Sequence, residues 1–380
     1  MIKRRVALIT PFSPPGVGGA ETHLEDFYEY LRTHNYFTYV LTYQPIASPL
    51  RGSAIERRKN LEIHRFQWIG GNLFHFFEKF PPLFNFLYMT PYLLLRSFIF
   101  LLSHQDKIDT LNAQGLNATF IVAILGKIFG KKKSMSTMAL YCWKPGTLFA
   151  RISCLVLSAM DVIFAESQES KDEMVGIGVP VEKIVVFSHW VNQNKFKPES
   201  KLRRKKELGW ENRFVALFVG RAIPIKGGDT LVKMMKKLNP KITVVMISDA
   251  GPQKPLFEKA ARKYANLIYI GGVPYADLHP YYKAADVFII PSRYEEGAAR
   301  VVMEAVSCGT PVISSNMGAL PSVLSPKVAF FVKPDEKNIR LTLESLYNNR
   351  KKLALLTRNS YPYATKHFGF DNAKVVVSNL

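Results

Sequence analysis

The chain has 380 residues, more than one ordinary compact core accommodates, so two domains are expected. Hydrophobic residues make up 48% and charged residues 21%, which excludes a disordered, collagen-like or multi-span membrane chain. The net charge of +21 favours anionic partners: nucleic acid, acidic membrane or phosphorylated small molecules.

Arg4 and Arg5 precede the apolar run Val6 to Ile9. That run is shorter than the ~7–15 residues a secretory signal needs, so it reads as a buried first strand. A Pro/Gly loop follows over residues 11–19, then helical spacing over 22–32 and a strand over 36–43. Residues 83–102 are strongly apolar and aromatic but contain Asn85, Pro91, Arg96 and Ser97. Three readings stand there: a core helix rimmed by aromatics, a helix seated on a membrane surface, and a membrane span. Short apolar strands follow at 162–165 and 184–187.

The second half alternates more regularly. Strands are expected at 214–219, 242–247, 267–270, 287–290 and 312–314, with helices at 230–238, 254–264, 278–285 and 300–308. Near-continuous apolar strands separated by helices predict parallel α/β sheets. The junction is placed at residues 192–210, which hold Pro198 and the basic run Lys201 to Lys206, read as a solvated surface. Net charge is +5 over residues 1–190 and +16 over 191–380, so the basic excess lies in the second half. Cys142, Cys154 and Cys308 are odd in number and form no C-x-x-C pair, which argues against a disulfide framework or structural zinc and for a reducing cytosol.

Two glycine loops each follow a strand and precede a helix. The first holds Gly16, Gly18 and Gly19. A dinucleotide fingerprint would need a third glycine where Glu21 stands, so the loop is either a plain strand–helix turn or a phosphate site. The second runs from Gly220-Arg221 to Lys226-Gly227-Gly228. It is not a P-loop, because Ile225 and Gly227 occupy positions that motif reserves for Gly and Ser or Thr. Its Arg221 and Lys226 are either solvated or placed to grip a diphosphate from two sides.

The third informative stretch runs from Tyr294 to Pro311. Glu296 falls in a loop and Glu304 within an apolar helix, where a carboxylate requires a partner. Ribose hydroxyls would serve, and a structural ion pair is the alternative. A metal site lacks supporting His or Asp, and a glycosidase pair would lie across a cleft.

In order and spacing these motifs resemble a GT-B glycosyltransferase of the retaining glycosyltransferase family 4 type (glycosyl transferases group 1). The resemblance rests on Gly18-Gly19-Ala20-Glu21, on Gly220-Arg221 through Lys226-Gly227, and on Glu296-Gly297, Glu304-Ala305 and Gly309-Thr310-Pro311-Val312. Ala284 to Val287 before Pro291-Ser292, Phe196-Lys197-Pro198 and Phe368 to Asp371 also match, so it spans nearly the whole chain. It implies two Rossmann-like domains facing across a cleft: an acceptor-side domain over 1–190, a nucleotide-sugar domain over 191–362, and a closing helix over 363–380.

The resemblance also implies roles. Glu296, Arg221 and Lys226 are the catalytic candidates. Gly18, Gly19, Val273, Gly297, Ala298, Ala299, Arg300 and Glu304 are the donor-binding ones, with Glu304 on the ribose, Val273 near the base and the amides of 298–300 near phosphate. No metal or cofactor is implied; the donor is a nucleoside-diphosphate sugar, UDP or GDP foremost. The acceptor is a glycan or a lipid-linked envelope acceptor. The expected location is cytoplasmic, peripheral on the inner face of the membrane, with an anionic lipid surface and no nucleic acid as partner.

Three positions depart from the family pattern. The stretch Ser134 to Tyr141 lacks the histidine usually found near the transferred sugar, the turn Ser188 to Asn192 lacks its glycine, and Ser322 stands where an acidic residue is common. His23, His104 and His189 read as packing or surface residues. Two alternatives accompany these departures: a nucleotide-sugar epimerase on the same scaffold, and a binding relic that does not turn over.

Overall fold

A computed structural model describes residues 2–16, 18–46, 50–69, 73–77, 80, 82–248, 251–293, 299–318 and 320–380. The chain divides into two compact units, Met1–His189 with Asp371–Leu380, and Trp190–Phe370. Residues 363–370, expected in the closing helix, fall in the second unit, where Ala364 and Phe368 are core residues.

The first unit is built on β1 (Arg4–Ile9), β2 (Tyr36–Tyr43), β3 (Ile55–Arg58), β4 (Leu61–Phe66), β5 (Thr110–Gln114), β6 (Lys132–Ser136), β7 (Val162–Ala165) and β8 (Ile184–Val186). They form one sheet in the order β3-β4-β2-β1-β5-β6-β7-β8. All pairs are parallel except β3 against β4. The antiparallel edge departs from the all-parallel expectation. Its exposed Arg57 and Arg58 blunt an edge that would otherwise invite pairing.

Helix α1 (Gly19–Thr33) links β1 to β2; α2 (Pro82–His104), α3 (Leu116–Ile128) and α4 (Leu148–Ser158) precede β5, β6 and β7; α5 (Gln168–Gly176) precedes β8. Parallel crossovers are right-handed. The steps into β5, β6 and β7 all run in one direction along the sheet, so α2, α3 and α4 cover the same face. Accordingly α2 packs on α3, and α3 on α4.

Of the three readings for residues 83–102, packing is realised on one side of the helix. Met89, Leu93 and Leu101 are buried in the first core, while Leu83, Phe84, Leu87, Leu95, Ile99 and Leu102 are 45–58% exposed. Among the described residues this is also the one helix long and apolar enough to cross a membrane.

The second unit holds β9 (Phe214–Val219), β10 (Ile242–Ile247), β11 (Leu267–Ile270), β12 (Val287–Ile290), β13 (Val312–Ser315) and β14 (Ala329–Val332), all parallel, in the order β11-β10-β9-β12-β13-β14. Its helices include α6 (Lys201–Glu207), α7 (Gly228–Met234), α8 (His279–Ala284), α9 (Arg300–Ser307) and α10 (Arg350–His367). The inner strands β9, β10, β12 and β13 are buried on both faces, which is why they read as continuous apolar runs.

The basic run in α6 is less solvated than expected. Lys205 is buried, and its ammonium donates to Asp286 at 2.6 Å and to the Arg213 carbonyl at 2.6 Å. Asp286 also accepts the Val215 amide at 2.8 Å, so this pair fastens α6 to the start of β9.

Candidate functional site

In the second sheet the chain runs outward from β9 through β10 to β11, then returns to β12 on the other side of β9. Such a reversal opens a crevice at the carboxyl ends of the two strands, where open α/β sheets bind ligands. Here those ends carry the loop 220–228, after β9, and Pro291 to Arg293, after β12.

The two segments are joined. The Arg293 amide donates to the Ile225 carbonyl at 2.8 Å, and its guanidinium bonds Asp229 at 3.0 Å and also Thr230. Burial opposes the charge on Asp229, but hydrogen bonds from Arg293 and Lys233 outweigh it and hold the carboxyl below its ordinary range. Gly227 has φ +72°, and a β-carbon there would collide with the Pro291 carbonyl. A β-carbon on Gly228 would come within 2.5 Å of the Phe257 ring. Both glycines therefore let the loop lie flat against its neighbours.

On this loop Arg221 is exposed, and its guanidinium meets no hydrogen-bond or ionic partner among the described residues. Lys226 is half-buried at the end of the short turn Pro224–Lys226. Val273 is half-buried just after β11, on the same edge of the sheet.

Helix α9 begins at Arg300, with Ala299 as a cap that offers no side-chain hydrogen bond. Glu304 is 2% exposed. Its Oε2 accepts the Tyr282 hydroxyl at 2.9 Å, and its Oε1 lies 3.8 Å from Arg300 Nε. Arg300 in turn donates to the Trp190 carbonyl at 2.9 Å and to the Tyr275 hydroxyl at 3.0 Å. Burial, reinforced by the Glu304 charge, pushes the Tyr282 hydroxyl far above its ordinary pKa, so it remains a donor. The partner that Glu304 required is thus present within the protein, supplied by Tyr282 and Arg300.

Glu296, Gly297 and Ala298 lie outside the described residues. Gly18 and Gly19 are in the first unit, at the start of α1. The Glu21 carboxylate closes over Gly18, 2.5 Å from where a β-carbon would sit, whereas a β-carbon on Gly19 would meet nothing within 4 Å. Arg65, buried and absent from the sequence reading, holds this loop through the Pro14 carbonyl at 2.7 and 3.0 Å. Arg65 and Arg293 both act on backbone distant in sequence, and no local pattern marks such residues.

The fold is matched by sucrose-phosphate synthase from Thermosynechococcus elongatus, with TM-score 0.79 and 19% identity over 99% of this chain and 98% of that one. It is matched also by HepE of Anabaena in complex with UDP, with TM-score 0.76 and 18% identity over 99% and 98%. Two parallel-sheet units of this kind define the GT-B glycosyltransferase fold. Residues 200–362 match the family described as Glycosyl transferases group 1.

Among sequence relatives, spore coat protein SA of Bacillus subtilis is 24% identical over 287 residues, which is 72% of this chain and 74% of that protein. A D-inositol 3-phosphate glycosyltransferase of Streptomyces bingchenggensis is 31% identical over 244 residues, 59% of this chain and 53% of that protein, so the chain spans about half its length.

Proposed function

We propose that the protein transfers a sugar from a nucleoside-diphosphate sugar to a glycan or lipid-linked acceptor, with retention and without a metal. The observation that carries this reading is Arg221, exposed and without an ionic partner among the described residues, on one loop with Lys226 at the switch point of the second sheet. As the glycosidic bond breaks, negative charge builds on the leaving diphosphate. Fixed cations at that point stabilise charge that the ground state carries less of, and so lower the barrier. Glu304 receives the ribose, the first amides of α9 face phosphate, and Glu296 contacts the sugar. UDP is the favoured nucleotide, in keeping with the UDP named for the Anabaena neighbour.

Calorimetric titration with UDP, GDP and ADP, without added metal, tests the reading. One nucleotide should bind, and Arg221→Ala and Lys226→Ala should each weaken it about tenfold or more, since a charge-assisted contact contributes ~1.5–3 kcal/mol. Unchanged affinity in both variants would remove the donor site from this loop.

A membrane-borne acceptor is favoured by the outer side of α2, α3 and α4. None of these helices contains Asp or Glu, and they carry Arg96, Lys127 and Arg151. Exposed Leu95 and Ile99 on α2, Ile124 and Ile128 on α3, and Leu148 and Leu155 on α4 give the same layer an apolar surface. Apolar bulk with only basic charge suits the headgroup region of an anionic leaflet, which supports a peripheral location on the inner face of the membrane.

A further inference from the structure

The carboxyl edge of the first unit's sheet holds buried polar side chains that the donor loop does not use. Gln114 ends β5, Tyr141 follows β6, Glu166 follows β7 and His189 follows β8. Glu166 is 7% exposed and the His189 side chain 10%. Neither ring nitrogen of His189, nor Oε1 of Glu166, nor Oε1 of Gln114 has a hydrogen-bond partner among the described residues. Such buried atoms are costly to leave unpaired.

His189 Nε2 stands 3.5 Å from Glu166 Oε2 without hydrogen-bond geometry. A pair formed for its own sake closes further, as His64 and Glu62 of the same unit do at 2.7 Å. Both residues are nevertheless held. The Glu166 amide donates to the Thr137 hydroxyl at 2.9 Å, and the His189 carbonyl accepts from the Asn372 side chain at 3.0 Å. The rings of Phe187 and His23 lie 5.1 and 5.7 Å from the imidazole, centre to centre. The half-buried Tyr141 has its hydroxyl buried nearby, close enough for the Glu166 charge to act on it.

These open positions are mostly acceptors: a carboxylate oxygen, an amide oxygen and one imidazole nitrogen. Their ligand must be rich in donors, and the Glu166 charge disfavours an anion. Adjacent hydroxyls of a sugar or cyclitol ring meet both conditions.

We propose that Glu166 and His189 form a hydroxyl-binding subsite for a neutral polyhydroxylated ring, on the sheet edge where Ser134 to Tyr141 supplies no histidine. His189 is thus more than the packing residue its sequence context indicates. The assignment rests on the proposed function only in taking that ring as a glycosyl-transfer substrate.

The test follows the His189 ring nitrogens by NMR in the full chain, assigned by their loss in His189→Gln. The probes are methyl α-D-glucopyranoside, methyl α-D-mannopyranoside and myo-inositol, with UDP affinity measured in parallel. A saturating shift with at least one probe is expected, weakened about tenfold in Glu166→Gln with UDP affinity unchanged. Resonances unmoved by all three probes would mean that only water occupies the pair, and would overturn the subsite while leaving the donor reading intact. A shift of equal affinity in Glu166→Gln would overturn it as well. Saturation without binding of any nucleotide would uphold the subsite and remove the donor site instead.

Discussion

A carboxylate inside an apolar helix is stable only when its charge is answered, and at Glu304 the answers are Tyr282 and Arg300. Tyr282→Phe removes one donor and leaves a buried oxygen short of a partner. Chemical denaturation should record a loss of ~1–3 kcal/mol, and an unchanged midpoint would show that the hydroxyl does not support Glu304. Glu199 is the counterpart near the surface. Hydrogen bonds from the buried Lys283, opposed by partial burial and aided by Arg204, hold its pKa down at about 2. Its stabilising contribution is therefore fully present above the unfolded value of ~4.3 and fades as pH falls from ~5 toward 2. Acid titration of stability should be shallower in Glu199→Gln over that window. Identical slopes would mean the pair does not respond to pH.

At the level of elements, the loop 220–228 depends on Gly227. Gly227→Ala strains a left-handed residue and pushes against the Pro291 carbonyl, so both stability and UDP affinity should fall. Gly271→Ala, whose β-carbon would meet nothing within 4 Å, should change neither. If Gly227→Ala lowers the melting temperature but spares UDP binding, the loop's link to Pro291 does not shape the site. In the second sheet β9, β10, β12 and β13 were legible because burial on both faces demands apolar runs, whereas the half-buried edge strand β14 went unread. β5 and β6 were not legible, since Asn112, Gln114, Ser134 and Ser136 are polar yet buried. They bond one another in part: Asn112 donates to Ser134 at 2.9 Å and Gln114 to Asn112 at 2.6 Å, while Gln114 Oε1 stays open. β3 was missed because an exposed, charged edge strand has no apolar signature. Arg221, Lys226 and Glu304 are candidates that motif spacing singles out, whereas Glu166, His189 and Arg293 draw attention only through strands brought side by side by the fold.

For the whole molecule, the proposed membrane contact draws on the charge of +21 and on the acid-free outer helices together. Flotation with phosphatidylglycerol-containing vesicles should recover the protein at low salt and lose much of it at high salt, because screening weakens the basic contribution. Leu95→Glu combined with Leu155→Glu should abolish recovery without lowering the melting temperature, as both side chains are exposed. Recovery of the double variant equal to the parent would exclude this face as the contact.

The first unit is not continuous in sequence: its last portion, Asp371–Leu380, comes after all of the second. Leu380 is fully buried, and Ala373, Val376 and Val377 are nearly so. A ribosome therefore releases the first unit's opening 189 residues long before their final packing partners exist. The second unit, contiguous from Trp190 to Phe370, has its whole sequence available first. In biosynthesis the earlier half must wait for residues 371–380, which are made only after the whole of the second unit.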